Sequence, residues 1–244
     1  MGRVLTLLVA AICYFAFFLS FVYLVGFLGG CPALPTNVDK GIEATTGVAL
    51  AVDVLLIALF GLQHSVMARP GFKAAWTKIV PQSLERSVYC LATAIVLFVL
   101  YAFWHPIPQP VWSVTNETGR IVLWTLFGLG FLIVFLSTWL ISHFQLFGLS
   151  QAWSHFRGET PHKHAFKTPL FYKLVRHPIY LGFLIALWAT PDMTLGHLVL
   201  SIGLSIYLFI GAGYEERDLV GEFGVSYIEY QASVCMILPG IERK

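Results

Sequence analysis

The sequence contains few charged residues. Asp, Glu, Lys and Arg make up only 11% of its 244 residues, whereas a soluble domain carries roughly 25%. Hydrophobic residues account for 57% of the chain, and the mean hydropathy is +0.76. This composition excludes an ordinary soluble domain and predicts an integral membrane protein with long apolar segments.

Several motifs are also absent, and each absence excludes a class of protein. The four cysteines do not show the paired spacing of a zinc site or a disulfide framework, so no metal site is predicted. The net charge is only +2 and no basic stripe occurs, which argues against a nucleic-acid partner. No strand is followed by a Gly-x-Gly-x-x-Gly turn, which argues against a soluble nucleotide-binding domain. No obligate protein partner is predicted.

Six apolar segments are candidates for membrane helices, each of which needs about 20 residues. They are Val4–Leu28, Gly47–Val66, Ser87–Phe103, Arg120–Phe147, Ile179–Thr190 and Leu195–Gly213. Because lipid offers backbone groups no other partner, we expect an all-α, polytopic helix bundle with five to six transmembrane helices. The first segment is too long for the apolar part of a signal peptide, so we expect it to be a retained span.

The last two segments predict a helical hairpin, since only Pro-Asp-Met-Thr separates them. Thr190 and Pro191 are expected to be the N-cap and first residue of the last helix. Ile179–Thr190 is short, so whether it crosses the bilayer stays open at this point. A short tail helix follows. We expect one domain, with a four-span part at 1–147, a cytoplasmic loop at 148–178, and the hairpin and tail at 179–244.

The basic residues predict the orientation in the membrane. All 15 lysines and arginines except Lys40 and Arg120 lie on the same predicted side of the apolar segments. Cytoplasmic loops of membrane proteins carry an excess of Lys and Arg. We therefore expect both termini to be cytoplasmic.

Polar side chains collect near the cytoplasmic ends of four predicted helices. They are Gln63, His64, Ser142, His143, Gln145, Arg176, His177, Tyr180, Glu215 and Glu216. Ionisable groups at membrane depth are costly and usually face a bundle interior or a wet cavity, so a pocket that opens to the cytoplasm is predicted. Acidic residues near a helix C-terminus oppose the helix dipole. Glu215 and Glu216 are therefore expected to have a positive partner, which is Arg176, Arg217 or a bound cation.

The C-terminal part of the chain resembles a known superfamily. Its segments RHPIYLG (176–182), EERDL (215–219) and FGVSYIEY (223–230), with the Leu-Pro that follows, match in order and spacing. They resemble the isoprenylcysteine carboxyl methyltransferase-like proteins, which include phospholipid N-methyltransferases and NnrU-like proteins. Within this superfamily, the stretches 62–73, 81–89, 142–153 and 177–198 are similar to the bacterial methanethiol S-methyltransferase family. Cys235 and Met236 stand where the prenylcysteine enzymes usually carry a proline and a basic residue. This difference argues against a prenylated methyl acceptor.

The resemblance implies a methyltransferase that uses S-adenosyl-L-methionine to convert methanethiol, a small thiol, to dimethyl sulfide in the bacterial inner membrane. The cofactor-binding residues that it implies are Arg176, His177, Tyr180, Gly182, Glu215, Glu216, Tyr227 and Tyr230. Arg176 and His177 would donate to the carboxylate of the cofactor. The adjacent glutamates would accept from its hydroxyl or ammonium groups.

A thiolate, not a thiol, is the nucleophile, so the reaction needs a base or the help of a positive charge. We expect His143 or His64 to be this base, because the pKa of histidine is near neutral pH. Gln63 is the expected positioning group. This assignment depends on the predicted depth of the three side chains alone.

Three alternatives remain open. The first is the same scaffold with another methyl acceptor, either a lipid amine or a prenylcysteine-like carboxylate. The second is a sterol-type membrane reductase that uses NADPH, but no basic set near the tail suits the ribose phosphate of that cofactor. The third is a non-enzymatic haem-binding or transport protein with His64 and His143 as ligands.

Overall fold

The computed structural model describes residues 2–160 and 166–240 of the chain. Its α-helices are α1 (Arg3–Leu28), α2 (Thr46–Ala68), α3 (Pro70–Trp76), α4 (Glu85–Phe103), α5 (Glu117–Ile141), α6 (His143–Leu146), α7 (Leu149–Arg157), α8 (Pro178–Trp188), α9 (Leu195–Phe223) and α10 (Val225–Ser233). The strands β1 (Pro110–Ser113) and β2 (Asp192–Thr194) form a small sheet that the sequence did not predict. Among the described residues, five helices are long and apolar enough to cross a membrane: α1, α2, α4, α5 and α9. The prediction of a polytopic helical membrane protein is confirmed.

The described residues form two compact units. Unit 1 comprises 2–111, 143–160 and 194–203, and unit 2 comprises 112–142, 166–193 and 204–240. The expectation of a single domain stays a prediction. Of the basic residues that predicted the orientation, Lys163, Arg243 and Lys244 lie outside the described residues.

Unit 1 is built around α4, which packs against α1 and α2, while α7 packs against α1. Its buried contacts include a small core of Ala10, Leu84 and Ala152. On the outer faces of α1 and α2, large apolar side chains such as Ile12 and Leu55 are 66% and 68% exposed. Exposed apolar faces of this kind suit contact with lipid tails, which agrees with the low charge content of the chain.

The fourth predicted span is wrong at its C-terminal end. The helix α5 stops at Ile141, Ser142 is extended, and the separate helix α6 begins at His143. One turn before the break, the hydroxyl of Thr138 donates to the carbonyl of Phe135 at 2.7 Å, and such side-chain bonds compete with the helical ladder. Apolar residues continue beyond the break, so hydropathy alone could not reveal it.

The last predicted span is wrong at its C-terminal end as well. We expected it to end at Gly213, with Glu215 and Glu216 at its terminus, but α9 continues to Phe223. The residues after Gly213 include Glu, Arg and Leu, which are good helix formers. Hydropathy therefore marked the end of the apolar segment and not the end of the helix.

The N-terminus of α9 differs from the prediction for a different reason. Thr190 and Pro191 do not cap the helix, because β2 lies between them and its first residue. The carbonyl of Pro191 instead accepts from the N–H of Val114 at 2.9 Å. The hydroxyl of Thr194 accepts from the N–H of His197 at 3.2 Å, which is the usual geometry of a helix N-cap.

The segment 172–192, which includes the short helix α8, contacts α5 near both of its ends. The 11 residues of α8 extend only about 16 Å, roughly half of the hydrocarbon core. Before α8, the hydroxyl of Tyr172 donates to the carbonyl of Ser137 near the C-terminus of α5, at 3.5 Å. After α8, Asp192 binds Arg120 near the N-terminus of α5, with an O–N distance of 2.8 Å. The segment 172–192 therefore extends along α5 from near Ser137 to near Arg120.

The helices α5 and α8 meet at two glycines. A Cβ atom on Gly130 would lie 2.6 Å from the carbonyl oxygen of Gly182, and one on Gly182 would lie 2.6 Å from that of Gly130. Only glycine permits this backbone contact, which is typical of helix pairs in membranes. Helix packing thus accounts for a glycine at position 182, and its role towards a cofactor stays a prediction.

Gly130→Ala is expected to destabilise the protein, because the added methyl group forces α5 and α8 apart. Overpacking of this kind costs about 1–3 kcal/mol of the free energy of unfolding. Gly128→Ala is the matched control, since no atom lies within 4 Å of its Cβ position. Thermal unfolding of both variants in detergent micelles measures the difference, and equal midpoints would contradict the glycine contact.

Candidate active site

The C-terminal tail holds the residues that precede α8. The N–H of Arg176 donates to the carbonyl of Cys235 at 2.8 Å, and the N–H of His177 donates to that of Met236 at 3.0 Å. Pro178 then occupies the first turn of α8, where its missing N–H leaves no helical hydrogen bond unmade. The Arg-His-Pro sequence is thereby fixed to the tail through two backbone hydrogen bonds.

A buried ion pair lies at the centre of this region. Arg176 Nε donates to Glu216 Oε1 at 2.5 Å, and the two side chains are 3% and 8% exposed. His177 Nε2 lies 3.3 Å from the same carboxylate oxygen. Gln231 Nε2 donates to the other oxygen, Oε2, at 3.0 Å. Of the positive partners considered for the two glutamates, Arg176 is therefore the one that contacts Glu216.

The guanidinium of Arg176 makes two further contacts with the protein. Its Nη1 donates to the carbonyl of Gln231 at 2.9 Å and to the carbonyl of Val234. These bonds join the start of α8 to the end of α10. The sequence predicted that Arg176 donates to a cofactor carboxylate, but protein acceptors occupy its Nε and Nη1 atoms.

Glu215 has surroundings different from those of its neighbour Glu216. Its side chain is 46% exposed. The hydroxyl of Tyr180 donates to Glu215 Oε2 at 2.7 Å, and His177 Nδ1 lies 3.6 Å from the same oxygen. The rings of His177 and Tyr180 stack with their centroids 5.2 Å apart and their planes inclined by 14°. This arrangement presents a carboxylate that is held in place yet accessible.

The tyrosines of α10 form an aromatic cluster with Phe166. The ring centroid of Phe166 lies 5.7 Å from that of Tyr227 and 5.3 Å from that of Tyr230. Burial raises the pKa of Tyr230 to about 12 and also raises the pKa of Tyr227. Both hydroxyls therefore keep their protons at neutral pH and can act as donors.

The two hydroxyls differ in their partners. Tyr230 donates to the carbonyl of Tyr172 at 2.5 Å. Tyr227 is only 2% exposed, and its hydroxyl has no hydrogen-bond partner among the described residues. A buried polar group without a partner costs about 1–3 kcal/mol. Among the described residues, the Tyr227 hydroxyl is thus left available to a ligand.

The predicted bases lie in unit 1, and the first of them is His143 in α6. His143 is 6% exposed, and its Nε2 atom lies 2.8 Å from the hydroxyl oxygen of Tyr14. The ring also contacts the edges of Phe144 and Phe147. Burial lowers the pKa of His143, so its neutral form predominates at physiological pH.

His64 and Gln63 lie in the second half of α2. His64 Nδ1 is 3.1 Å from the hydroxyl oxygen of Thr93 on α4, and the ring lies against Tyr89. Gln63 Nε2 donates to the sulfur of Met67 at 3.2 Å. The buried Oε1 atom of Gln63 has no hydrogen-bond partner within 2–160 and 166–240. Gln63 is thus a buried acceptor that a thiol S–H could satisfy.

Unit 2 thus contains all eight predicted cofactor residues. They supply a half-exposed carboxylate, a stacked imidazole, a buried hydroxyl and aromatic faces, which suit an organic ligand with cationic and hydroxyl groups. In the part of the chain that the structure describes, no group of three or more His, Cys, Asp or Glu side chains is placed to hold a metal ion.

Sequence reasoning missed two residues of these sites, Gln231 and Tyr14. Gln231 lies four positions after Tyr227, and residues so spaced share a helix face. That spacing could have identified it, although the motif that carries the resemblance ends at Tyr230. Tyr14 lies among phenylalanines in the first span, and no pattern in the sequence links it to His143.

Glu216→Gln is expected to destabilise the protein strongly, because it leaves the buried charge of Arg176 without its counter-charge. Removing one partner of a buried pair costs about 3–5 kcal/mol. Glu215→Gln is the matched control for stability, since its side chain is 46% exposed. Chemical denaturation in micelles compares the two variants, and equal losses would show that the pair with Arg176 contributes little.

Comparison with known proteins places the chain among its relatives. It is 48% identical to the methanethiol S-methyltransferase of a Pseudomonas species, and the alignment covers 98% of this chain and 91% of the relative. It is 44% identical to the methanethiol S-methyltransferase of Mycobacterium tuberculosis, over 100% of this chain and 99% of the relative. It is also 31% identical to nurim of Homo sapiens, over 83% of this chain and 82% of nurim.

No protein-family model matches the chain, and no solved structure matches it at a significant level. The relatives themselves are sufficient to assign the family, because the alignments with the bacterial proteins extend over nearly the whole of both chains. The resemblance in the C-terminal motifs is therefore confirmed over the full sequence. The chain belongs to the methanethiol S-methyltransferase family.

Proposed function

We propose that this protein is an S-adenosyl-L-methionine-dependent methyltransferase that converts methanethiol to dimethyl sulfide. The observation that carries the proposal is the cluster of unit 2, in which an accessible Glu215 carboxylate lies beside Tyr180 and His177. The buried Tyr227 hydroxyl, for which the described residues offer no partner, supports a ligand in the same region. The names of the bacterial relatives support the choice of methanethiol as acceptor.

The residues of unit 2 fit the chemical groups of S-adenosyl-L-methionine. Its ammonium and ribose hydroxyls need acceptors, and Glu215 is a carboxylate that can accept from either. Its carboxylate needs donors, and the Tyr227 hydroxyl can supply one. The His177 ring, which bonds to Glu216 and lies beside Glu215, holds these carboxylates in place. The rings of Tyr227 and Tyr230 offer aromatic faces to the adenine.

We assign a different role to Arg176 and Glu216. Because the protein satisfies most of their polar atoms, they build the site and hold its ligand-binding neighbours in place. Gly182 contributes through the close contact of α8 with α5. The eight residues of the proposed donor site thus divide into those that contact the ligand and those that support them.

When bound, S-adenosyl-L-methionine supplies a methyl group on a positively charged sulfur. The acceptor thiol loses its proton and forms a new S–CH3 bond as the old one breaks, which yields dimethyl sulfide, S-adenosylhomocysteine and a proton. We propose His143 as the base that takes this proton, with His64 as the alternative and Gln63 as the positioning group. A neutral imidazole keeps a lone pair on one of its two nitrogens, and this lone pair is what a base needs.

We further propose that the protein resides in the bacterial cytoplasmic membrane with both termini in the cytoplasm. The positions of the lysines and arginines support this orientation. In this proposal the segment 172–192, which contacts α5 near both of its ends, supplies a sixth crossing beside the five long helices. An even number of crossings leaves both termini on the same side.

Purified protein in nanodiscs, supplied with S-adenosyl-L-methionine and methanethiol, is expected to release dimethyl sulfide and S-adenosylhomocysteine in equal amounts. Headspace gas chromatography measures the first product. Phosphatidylethanolamine and a farnesylcysteine analogue, offered as competing acceptors, test the alternative acceptors. Glu215→Gln is expected to weaken S-adenosylhomocysteine binding by about tenfold, because a charged hydrogen bond is lost. Methylation of only a competing acceptor would contradict methanethiol as the substrate.

Turnover is expected to fall on acidification only below about pH 6.5, the ordinary pKa of histidine. Burial lowers the pKa of His143, so its neutral, proton-accepting form persists to a lower pH than in water. His143→Gln is expected to reduce turnover about 10²–10⁴-fold at saturating donor, the usual contribution of a general base. His155→Gln, at an exposed position on α7, is the control. Intact turnover with weakened donor binding would exclude His143 as the base.

A further inference from the structure

Gln231 is bonded to the buried pair of Arg176 and Glu216 through both its side chain and its main chain. Its Nε2 atom donates to Glu216 Oε2 at 3.0 Å. Its carbonyl accepts from Arg176 Nη1 at 2.9 Å. Since Arg176 and His177 lie at Oε1, Gln231 supplies the hydrogen bond that the second oxygen of this buried carboxylate needs.

The helix that carries Gln231 depends on such contacts for its orientation. The helix α10 has only 9 residues, and isolated helices shorter than about 12–15 residues are marginal in water. Its rotation about its own axis is therefore set by side chains that anchor it to neighbouring elements. Gln231 is such an anchor, because its amide reaches Glu216 on α9.

Tyr227 lies one turn before Gln231 and on the same face of α10. It is buried, and its hydroxyl is without a partner among the described residues. Burial raises the pKa of this hydroxyl, and the negative charges of Glu216 and Glu215 raise it further, so it keeps its proton and can donate. A small rotation of α10 would move the Tyr227 hydroxyl away from a ligand that Glu215 holds.

We propose that Gln231 is a positioning residue for the methyl-donor site. By bonding to Glu216 it sets the rotation of α10, and thereby the position of the Tyr227 hydroxyl, without contacting the donor itself. This inference rests on the proposed function, because the site whose affinity it sets is the one assigned to S-adenosyl-L-methionine.

The decisive substitution is Gln231→Met, which removes the Nε2–H donors but keeps the side-chain length, the helix propensity and the main-chain carbonyl. Calorimetry is expected to show about a tenfold increase in the Kd for S-adenosylhomocysteine. The KM for methanethiol and kcat at saturating donor are expected to stay near the wild-type values. Glu229→Gln, an exposed position on the same helix, is the control and should leave the Kd unchanged.

A double-mutant cycle with Tyr227→Phe tests the route by which Gln231 acts. If Gln231 works through the Tyr227 hydroxyl, adding Gln231→Met to Tyr227→Phe increases the Kd no further, so the two effects are strongly non-additive. Independent, multiplying effects would overturn the inference. This test needs no comparison of stability, because every Kd refers to the folded fraction that binds.

A role limited to stability predicts a different result. Gln231→Met would then lower the thermal midpoint and the active fraction but leave the Kd unchanged, and that outcome would also overturn the inference. Failure of the wild-type protein to bind S-adenosylhomocysteine would instead reject the proposed function. The two failures are therefore distinguishable in the same titration series.

Discussion

The buried ion pair of Arg176 and Glu216 is the interaction on which the proposed donor site depends. A charge pair removed from water is stable only when its remaining donors and acceptors are also satisfied. Here His177, Gln231 and two main-chain carbonyls complete the arrangement. Because these groups come from the start of α8, from α9 and from the tail, the pair joins three segments that are distant in sequence.

Two adjacent glutamates acquire different roles from this arrangement. Successive residues of a helix point about 100° apart, so only one of them can face the buried arginine. Glu216 faces Arg176 and is 6% exposed, whereas Glu215 is held by Tyr180 and remains accessible. One carboxylate therefore contributes to the structure of the site, and the other is available to a ligand.

The relatives show why function must be argued from the site. Proteins named methanethiol S-methyltransferase and the protein named nurim all align with most of this chain. A shared fold can carry different functions, which depend on particular side chains. The accessible carboxylate, the stacked imidazole and a tyrosine hydroxyl that the described residues leave without a partner are therefore stronger grounds for a methyl-donor site than the helical architecture alone.

Hydrophobicity by itself determined the existence of the long helices, and it placed both ends of α1, α2 and α4 within two residues of their positions. Lipid contact requires long apolar segments, so this information is local in the sequence. The break at Ser142 and the strand before α9 involve hydrogen bonds that hydropathy does not report. The extension of α9 to Phe223 follows helix propensity, which hydropathy does not report either. Likewise, the motifs indicated which residues form the donor site, but only tertiary structure decided that Glu216 is enclosed, that Glu215 is accessible and that Gln231 completes the pair. These distinctions depend on contacts between residues about 15 to 60 positions apart, which no local pattern encodes.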